Sequence, residues 1–324
     1  MPRVTGHHHD DVDPPTTVSV VVPTYGRPDS LARCLTALAA QSRAPEQVVV
    51  ACRADDRLTL EALADLSELV AFDVVTTDAP RLTAQMDLGV AATTTDVVAL
   101  TDDDAAPQSD WLERLMGLYR EPNVGAVGGR DVIQDTAVDS APVNGRVGVI
   151  TWRGRPLDNH HREGRGVRDV DVLKGVNLSL RRTLWRVDEQ LIGNGNQPQW
   201  ELGVCLRVRR LGWRVLYDPT ILVEHFTEPR IGEQQRAVRD AYALERDAHN
   251  ELFELVRWLP RWQWPIAAAN ALLVGSRAEP GLVAGAWLAS HGTPRAQALE
   301  AVRASTRGRL AALRARPRRG RSQC

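Results

Sequence analysis

The chain has 324 residues, of which 43% are hydrophobic and 25% are charged, and its formal net charge is −1. This composition is ordinary for a globular protein, and the length allows one large α/β domain with an appendage, or two domains. The four cysteines lack the CxxC spacing of a zinc site, and the absence of any run of about 18 apolar residues argues against a membrane-spanning helix.

The first 17 residues are polar and include His7–His9. This pattern predicts a disordered leader rather than a signal peptide, and we favour a flexible segment or cloning remnant over metal binding by the three histidines. Together with the cysteine usage, it indicates a cytoplasmic protein.

Strand-like and helix-like segments alternate from residue 18 to about residue 100. The predicted strands are short, apolar and rich in β-branched residues: Val18–Pro23, Gln47–Cys52, Phe72–Thr76 and Val97–Leu100. This order is typical of an α/β fold with a doubly wound, mostly parallel sheet and helices on both faces. Ligands of such sheets bind outside the carboxyl ends of the strands.

Three consecutive aspartates, Asp102–Asp104, follow the fourth predicted strand. Side chains alternate along an extended chain, so Asp102 and Asp104 should point one way and Asp103 the other. Two converging carboxylates form a site for Mg²⁺ or Mn²⁺, whose other ligands come from water and a substrate diphosphate. The alternative is a solvated acidic loop before the helix that begins near Trp111.

The pattern becomes less regular after residue 123. Val124–Gly129 has the character of a glycine-broken strand, and residues 135–170 predict loops or a short antiparallel element. Strand character returns in Val172–Leu180 and Arg214–Val223, and a helix is predicted between them over Glu201–Leu211.

Four segments in this order and spacing resemble the inverting glycosyltransferases of family 2, which have the GT-A nucleotide-sugar-binding fold. The resemblance extends over roughly Val18–His225. The segments that carry it are Val18–Arg27 (VSVVVPTYGR), Val97–Pro107 (VVALTDDDAAP), Lys174–Arg182 (KGVNLSLRR) and Trp200–Pro219 (WELGVCLRVRRLGWRVLYDP).

The resemblance implies a metal site and a general base. Asp102 and Asp104 stand where the family's DxD motif holds a divalent ion, Mn²⁺ or Mg²⁺, and His225 stands where similar enzymes supply a third ligand. Glu201 has the position of the carboxylate that takes the acceptor's proton, although Trp200 replaces the preceding acid of the family pattern. Glu201 could instead be an ordinary carboxylate at a helix N-terminus, and His225 an ordinary structural histidine.

The resemblance also implies two sets of binding residues. The residues implied to bind the donor are Pro23, Thr24, Tyr25, Arg27, Arg53, Asp55, Arg81 and Asp103. Those implied to line the acceptor side are Lys174, Gly175, Asn177 and Trp200. The second strand ends without the family's usual carboxylate pair, and Met86–Asp87 replaces an Arg-Asn pair, so the donor base stays open.

The sequence predicts a leader over residues 1–17, a catalytic domain over 18–230, a helical region over 231–300 and a basic tail over 301–324 with eight arginines and no acidic residue. Tryptophans and two short apolar runs in the helical region, followed by this tail, suit a segment at an anionic membrane surface and a lipid-linked acceptor. A helical subdomain that packs on the core, followed by a disordered basic end, explains the pattern equally well. Nucleic acid is not an expected partner.

We therefore predict a metal-dependent inverting glycosyltransferase that moves a hexosyl or deoxyhexosyl group. Its donor is a nucleotide-diphosphate sugar, and its acceptor is a hydroxyl of a glycan or lipid-linked molecule, as in cell-envelope polysaccharide synthesis at the inner face of the plasma membrane. A nucleotidyltransferase is the second candidate, although only one glycine and one arginine lie in 24–29 after the first strand. A catalytically inactive scaffold is the third, and the absence of GxGxxG argues against a dehydrogenase.

Overall fold

A computed structural model describes residues 13–134, 146–162, 164–226 and 240–315. The strands are β1 Val18–Thr24, β2 Gln47–Arg53, β3 Asp73–Thr77, β4 Val97–Leu100, β5 Ala105–Pro107, β6 Val124–Ile133, β7 Val149–Ile150, β8 Pro156–Leu157, β9 Arg168–Asp169, β10 Leu178–Arg181 and β11 Arg214–His225. The α-helices are α1 Pro28–Ala39, α2 Arg57–Leu66, α3 Leu82–Ala91, α4 Trp111–Leu118, α5 Trp200–Arg210, α6 Ala241–Trp258, α7 Trp264–Ala269, α8 Leu282–Ser290 and α9 Arg295–Arg314.

The central sheet has the strand order β3-β2-β1-β4-β10-β6-β11-β5, and β9 adds to β11. Strands β1, β2, β3, β4, β6 and β11 run in one direction, whereas β5, β9 and β10 run in the other. The prediction of a mostly parallel sheet is therefore confirmed, with three antiparallel strands that it did not include. The predicted strand Val172–Leu180 is shorter in the structure, because a 3₁₀ turn over Gly175–Asn177 precedes β10.

Helices cover both faces of this sheet. On one face, α1 and α4 bury Leu31, Leu35, Trp111 and Leu112 against β1 and β4. On the other face, α3, α5 and α6 pack into a second core, to which α6 contributes Phe253. Two-sided burial explains why β1 and β4 have no exposed position and why their sequences are almost wholly apolar.

The predicted leader of residues 1–17 differs from the structure at its end. The carboxylate of Asp96 accepts hydrogen bonds from the backbone N–H groups of Thr16 and Thr17, at 2.9 and 3.1 Å. Thr16 and Thr17, which precede β1, are therefore held beside Asp96 at the start of β4. Residues 1–12, including His7–His9, lie outside the described residues.

The C-terminal helices pack on the rest of the protein. The predicted boundary at residue 301 falls inside α9, which buries Ala304, Gly308 and Ala312. A Cβ atom on Gly308 would lie 2.0 Å from the carbonyl oxygen of Glu245 in α6, so this glycine lets the two helices approach closely. This row of small residues was not identified from the sequence, because the many arginines of α9 suggested a disordered basic tail. The predicted boundary at 230/231 and residues 316–324 lie outside the described residues.

Residues 146–162 form a hairpin whose strands, β7 and β8, pair antiparallel. This agrees with the short antiparallel element expected between 135 and 170. Residues 135–145 and 163 are not among those described. In the described part of the chain, no helix combines the length and the apolarity needed to cross a bilayer.

Candidate active site

Asp102, Asp104 and His225 come together where β4, β5 and β11 meet. One ligand atom from each residue lies within 4.8 Å of the other two. The backbone explains this proximity, because β5 pairs with the end of β11 and places His225 opposite Ala105. In addition, the N–H of Phe226 donates a hydrogen bond to the carbonyl of Asp104, at 2.8 Å.

The imidazole of His225 is oriented for a ligand. Its Nδ1 is 3.1 Å from Oδ1 of Asp131, which is buried at the end of β6. Its Nε2 is buried without a hydrogen-bond partner among the described residues, although it lies 3.3 Å from Oδ1 of Asp104. A carboxylate behind one ring nitrogen, with the second nitrogen directed at the aspartates, is the usual arrangement of a metal-binding histidine.

The charges of the cluster also fit a cation. Burial opposes protonation of His225, but the carboxylates of Asp104 and Asp131 outweigh it and raise the pKa of His225 to about 10. A divalent ion needs the neutral imidazole, so ion binding should release this proton. Two carboxylate oxygens and one imidazole nitrogen suit Mn²⁺ or Mg²⁺, and the residues present therefore fit the group.

Arg27 and Thr24 hold the other aspartate oxygens. The guanidinium of Arg27 donates to Oδ2 of Asp104 at 2.9 Å and pairs with Asp103. The hydroxyl of Thr24 donates to the second oxygen of Asp103 at 2.8 Å. Burial raises the pKa of Asp103, and Arg27 counteracts it. Thr24, Arg27 and Asp103 were predicted to bind the donor, and their side chains are used to fix the aspartate turn.

A second group of predicted donor residues lies at the carboxyl ends of β1 and β2, where β1 ends in Pro23 and Thr24. The guanidinium of Arg53 lies over the ring of Tyr25 at 4.3 Å, and its Nε donates to Asp55 at 2.9 Å. The two strand ends are fixed by Gln85, whose Nε2 donates to the carbonyls of Thr24 and Ala51 at 2.7 and 3.0 Å. An aromatic ring, a cation and a half-exposed carboxylate are thus adjacent at the sheet edge.

Arg81 has a different environment from the other predicted donor residues. Its guanidinium donates to the carbonyls of Glu189 and Leu191, the latter at 2.9 Å. These bonds attach the start of α3 to the loop that leads into α5. The Arg81 side chain therefore joins two segments of the protein, a structural role that the sequence did not predict.

Glu201 lies in the first turn of α5 and is half-buried. Burial raises the pKa of its carboxyl, Lys174 counteracts it, and the charges of Asp158 and Asp102 add to the rise. Among the described residues, no side chain donates a hydrogen bond to this carboxylate. A carboxylate with a raised pKa that accepts no side-chain hydrogen bond is suited to accept a proton.

Lys174 is held beside Glu201 by two residues that the sequence did not reveal. Its Nζ lies 2.7 Å from Oδ2 of Asp158, whose other oxygen contacts Nδ1 of His160. Nε2 of His160 faces the carbonyl of Val172 at 3.1 Å. Although burial opposes ionisation, Lys174 and His160 hold the pKa of Asp158 well below its usual range.

The structure contradicts the acceptor-binding prediction for Asn177. This residue is fully buried, and its Nδ2 donates to the carbonyls of Arg130 and Ile221 at 3.2 and 3.0 Å. Its Oδ1 accepts from the indole N–H of Trp111 at 3.0 Å. With its donors used inside the core, Asn177 cannot bind a sugar hydroxyl, and it joins β6, β11 and α4 instead.

Gly175 and Trp200 also pack against each other rather than facing open space. A Cβ atom on Gly175 would lie 2.5 Å from Cζ2 of Trp200. The Trp200 side chain is 6% exposed, and its ring is 5.9 Å from that of Trp185. The indole therefore has little surface left for an acceptor, which corrects its predicted role. Of the four predicted acceptor residues, Lys174 keeps a partly exposed side chain, 36% of which is accessible.

Sequence reasoning missed Asp131, Asp158 and His160. The signal for Asp131 was a carboxylate at the end of a strand, the same signal that identified Asp102. The signal for Asp158 and His160 was a carboxylate two residues before a histidine, although the left-handed backbone of Asn159 between them could not be predicted.

Comparisons with known proteins agree with this geometry. The profile of glycosyl transferase family 2 matches residues 19–170. The chain is 26% identical over 231 residues to a glucosyl-dolichyl phosphate glucuronosyltransferase of Haloferax volcanii, covering 64% of this chain and 68% of that protein. It is 28% identical over 149 residues to a pre-mycofactocin glycosyltransferase of Mycobacterium tuberculosis, covering 44% of this chain and 29% of that protein.

A solved structure shares the fold. The crystal structure of GalNAc-T7 with UDP, GalNAc and Mn²⁺ has a TM-score of 0.60 and 12% identity with this chain, covering 86% of it and 55% of the GalNAc-T7 chain. This similarity confirms the predicted GT-A type α/β fold with C-terminal helices.

Proposed function

The chain contains a family 2 glycosyltransferase domain with the GT-A fold, and we propose that it is a metal-dependent, inverting enzyme. It transfers a hexosyl or deoxyhexosyl group from a nucleotide-diphosphate sugar to a hydroxyl of a glycan or lipid-linked acceptor. The observation that carries this proposal is the cluster of Asp102, Asp104 and His225, in which Nε2 of His225 is directed at Asp104.

Asp102, Asp104 and His225 would hold Mn²⁺ or Mg²⁺. When bound, such an ion supplies positive charge against the diphosphate leaving group. Arg27 holds Asp104 directly, and Thr24 and Arg27 hold the neighbouring Asp103, so that the aspartate turn need not reorganise during turnover.

The nucleotide would lie over the adjacent sheet edge, where Tyr25 and Arg53 offer a ring and a cation and Asp55 offers a hydrogen-bond acceptor. Stacking on an aromatic ring tolerates any base, so this edge is compatible with several donors. The donor base therefore has to be identified by experiment.

Glu201 would accept the proton of the acceptor hydroxyl as its oxygen attacks the anomeric carbon, which inverts the configuration. Burial raises the pKa of Glu201, which makes it a stronger base, and the positive charge of Lys174 opposes that rise. The match to glycosyl transferase family 2 disfavours the nucleotidyltransferase alternative.

A thermal-shift screen of UDP, GDP, dTDP and CDP, each with and without Mn²⁺, tests this proposal. We expect one nucleotide to stabilise the protein only with Mn²⁺, by about 2.7 kcal/mol at 100 times its Kd. The shift should vanish in Asp104→Ala and persist in Asp169→Ala, a surface carboxylate paired with Arg214. A chain that responds to no nucleotide would be the inactive scaffold.

The product's anomeric configuration tests the inverting mechanism separately. Once the donor is known, transfer to a simple glycoside can be followed by proton NMR. Retention of configuration would contradict the role of Glu201 as a general base.

A further inference from the structure

Helix α8, Leu282–Ser290, has no charged side chain on any side, yet five of its nine residues are exposed. Its one buried residue is Gly285, where a Cβ atom would lie 2.2 Å from Val302 of α9. Leu282 and Val283 are each 60% exposed. A helix that is apolar all round is normally buried in a protein core or a membrane, and a helix of nine residues is too short to span a bilayer.

A second apolar surface adjoins α8. Trp152 at the tip of the β7–β8 hairpin lines an open groove with Ile266, Leu273 and Val274. Trp152 is 64% exposed and Leu273 is 53% exposed. We call Trp152, Ile266, Leu273, Val274, Leu282 and Val283 the apolar face.

The parts of the apolar face are firmly joined. The side chain of Gln263 donates to the carbonyls of Thr151 and Trp152 at 3.1 and 3.2 Å, which attaches the hairpin tip to α7. Gly281, immediately before α8, packs so closely on residues 271–274 that a Cβ atom would lie 2.8 Å from their backbone. The apolar face is therefore one built surface.

The chain segments that form this face are rich in arginine. Four arginines and one carboxylate, that of Glu279, occur in residues 149–157 and 259–294: Arg153, Arg155, Arg261 and Arg277. Arg153 lies over the ring of Trp152 at 5.0 Å, and Arg277 lies over the ring of Trp287 at 4.1 Å. Tryptophan beside arginine suits the boundary between acyl chains and headgroups, because the ring is amphipathic and the guanidinium can reach lipid phosphates.

We propose that the apolar face docks on the surface of a bilayer containing anionic phospholipids. The charge favours lipid over a second copy of the chain, because two copies would bring the same arginines together. Four more arginines follow in residues 316–324 of the sequence, adding to the attraction for anionic lipid. Docking does not depend on the transfer reaction, so it goes beyond the proposed function.

The hairpin connects this surface to the candidate active site. Trp152 lies at its tip, and Asp158, which holds Lys174 beside Glu201, lies six residues further along. At about 3.3 Å per extended residue, that distance is at most ~20 Å. A docked enzyme would thus hold its acceptor side close to the bilayer surface.

Co-sedimentation of the full chain with vesicles tests the proposal. We expect pelleting with equal parts phosphatidylcholine and phosphatidylglycerol, weaker pelleting with phosphatidylcholine alone, and loss of binding as salt rises. Leu282→Asn with Val283→Asn should weaken partition about tenfold or more, since two exposed apolar side chains no longer insert. Leu58→Asn with Leu69→Asn, which alters equally apolar exposed residues near α2, should leave it unchanged.

Three outcomes would overturn the proposal: no pelleting of the wild-type chain, equal pelleting of both double variants, or a concentration-dependent dimer that Leu282→Asn with Val283→Asn abolishes. Quenching of tryptophan fluorescence by brominated lipids gives a second reading on the unaltered chain. The nucleotide and Mn²⁺ thermal shift, run on the same samples, reports the transferase site separately, so the two proposals can fail independently.

Discussion

The two sides of the candidate site are held together in different ways. On the donor side, Asp102–Asp104 and His225 are fixed by strand pairing and by short contacts with Thr24, Arg27 and Asp131. On the acceptor side, no side chain among the described residues donates a hydrogen bond to Glu201, and its environment depends on the charge of Lys174 and the packing of Gly175 on Trp200. Under the proposed function, the donor side would hold an ion and the acceptor side would move a proton.

The largest effect should come from Glu201→Gln. Because glutamine cannot take a proton, kcat should fall by about 10²–10⁴ while nucleotide affinity with Mn²⁺ is unchanged. Steady-state kinetics and nucleotide titration measure the two separately. A parallel loss of nucleotide affinity would mean that Glu201 belongs to the donor side.

Asp131→Asn should show the opposite pattern. Since an amide orients the His225 ring less well than a carboxylate does, Mn²⁺ affinity should fall about 10–100-fold. Calorimetric titration of the protein with Mn²⁺ would measure this. Saturating Mn²⁺ should restore the activity of Asp131→Asn, whereas it should not restore that of Glu201→Gln. An unchanged Mn²⁺ affinity in Asp131→Asn would show that Asp131 does not support the ion site.

Gly175→Ala probes the packing of the acceptor side. The new methyl group would overlap Trp200, which should cost about 1–3 kcal/mol of unfolding free energy and displace the first turn of α5. Gly117→Ala is the matched control, because nothing lies within 4 Å of its Cβ position and alanine favours the helix. Denaturant unfolding of both variants gives the comparison, and equal stability would refute the close packing.

Lys174→Met should give the smallest effect. Because the positive charge of Lys174 opposes the effect of burial, its loss should raise the pKa of Glu201 further. Glu201 accepts a proton only when it is ionised. The acidic limb of the pH–rate profile should therefore move to higher pH, while the rate at high pH changes little. An unmoved limb would show that Lys174 does not act on Glu201.

The sequence alone predicted the four strands from Val18 to Leu100, the aspartate turn and the helix that carries Glu201, because these depend on local pattern and on motif order. It could not predict that Asn177 is buried, since its partners are carbonyls of Arg130 and Ile221, which only the folded sheet brings near. Asp131 was missed for the same reason: 94 residues separate it from His225. The sequence therefore predicted the fold better than it predicted the contacts between side chains.

The pairing of β5 with the end of β11 has a thermodynamic consequence. Backbone hydrogen bonds bring the ligands from positions 104 and 225 together, so the entropy loss of assembling them occurs on folding and not when the ion binds. The effective concentration of each ligand around the others is already high before any ion arrives. Ions should therefore exchange without unfolding of the strands, and the choice between Mn²⁺ and Mg²⁺ falls to ligand chemistry and cellular supply.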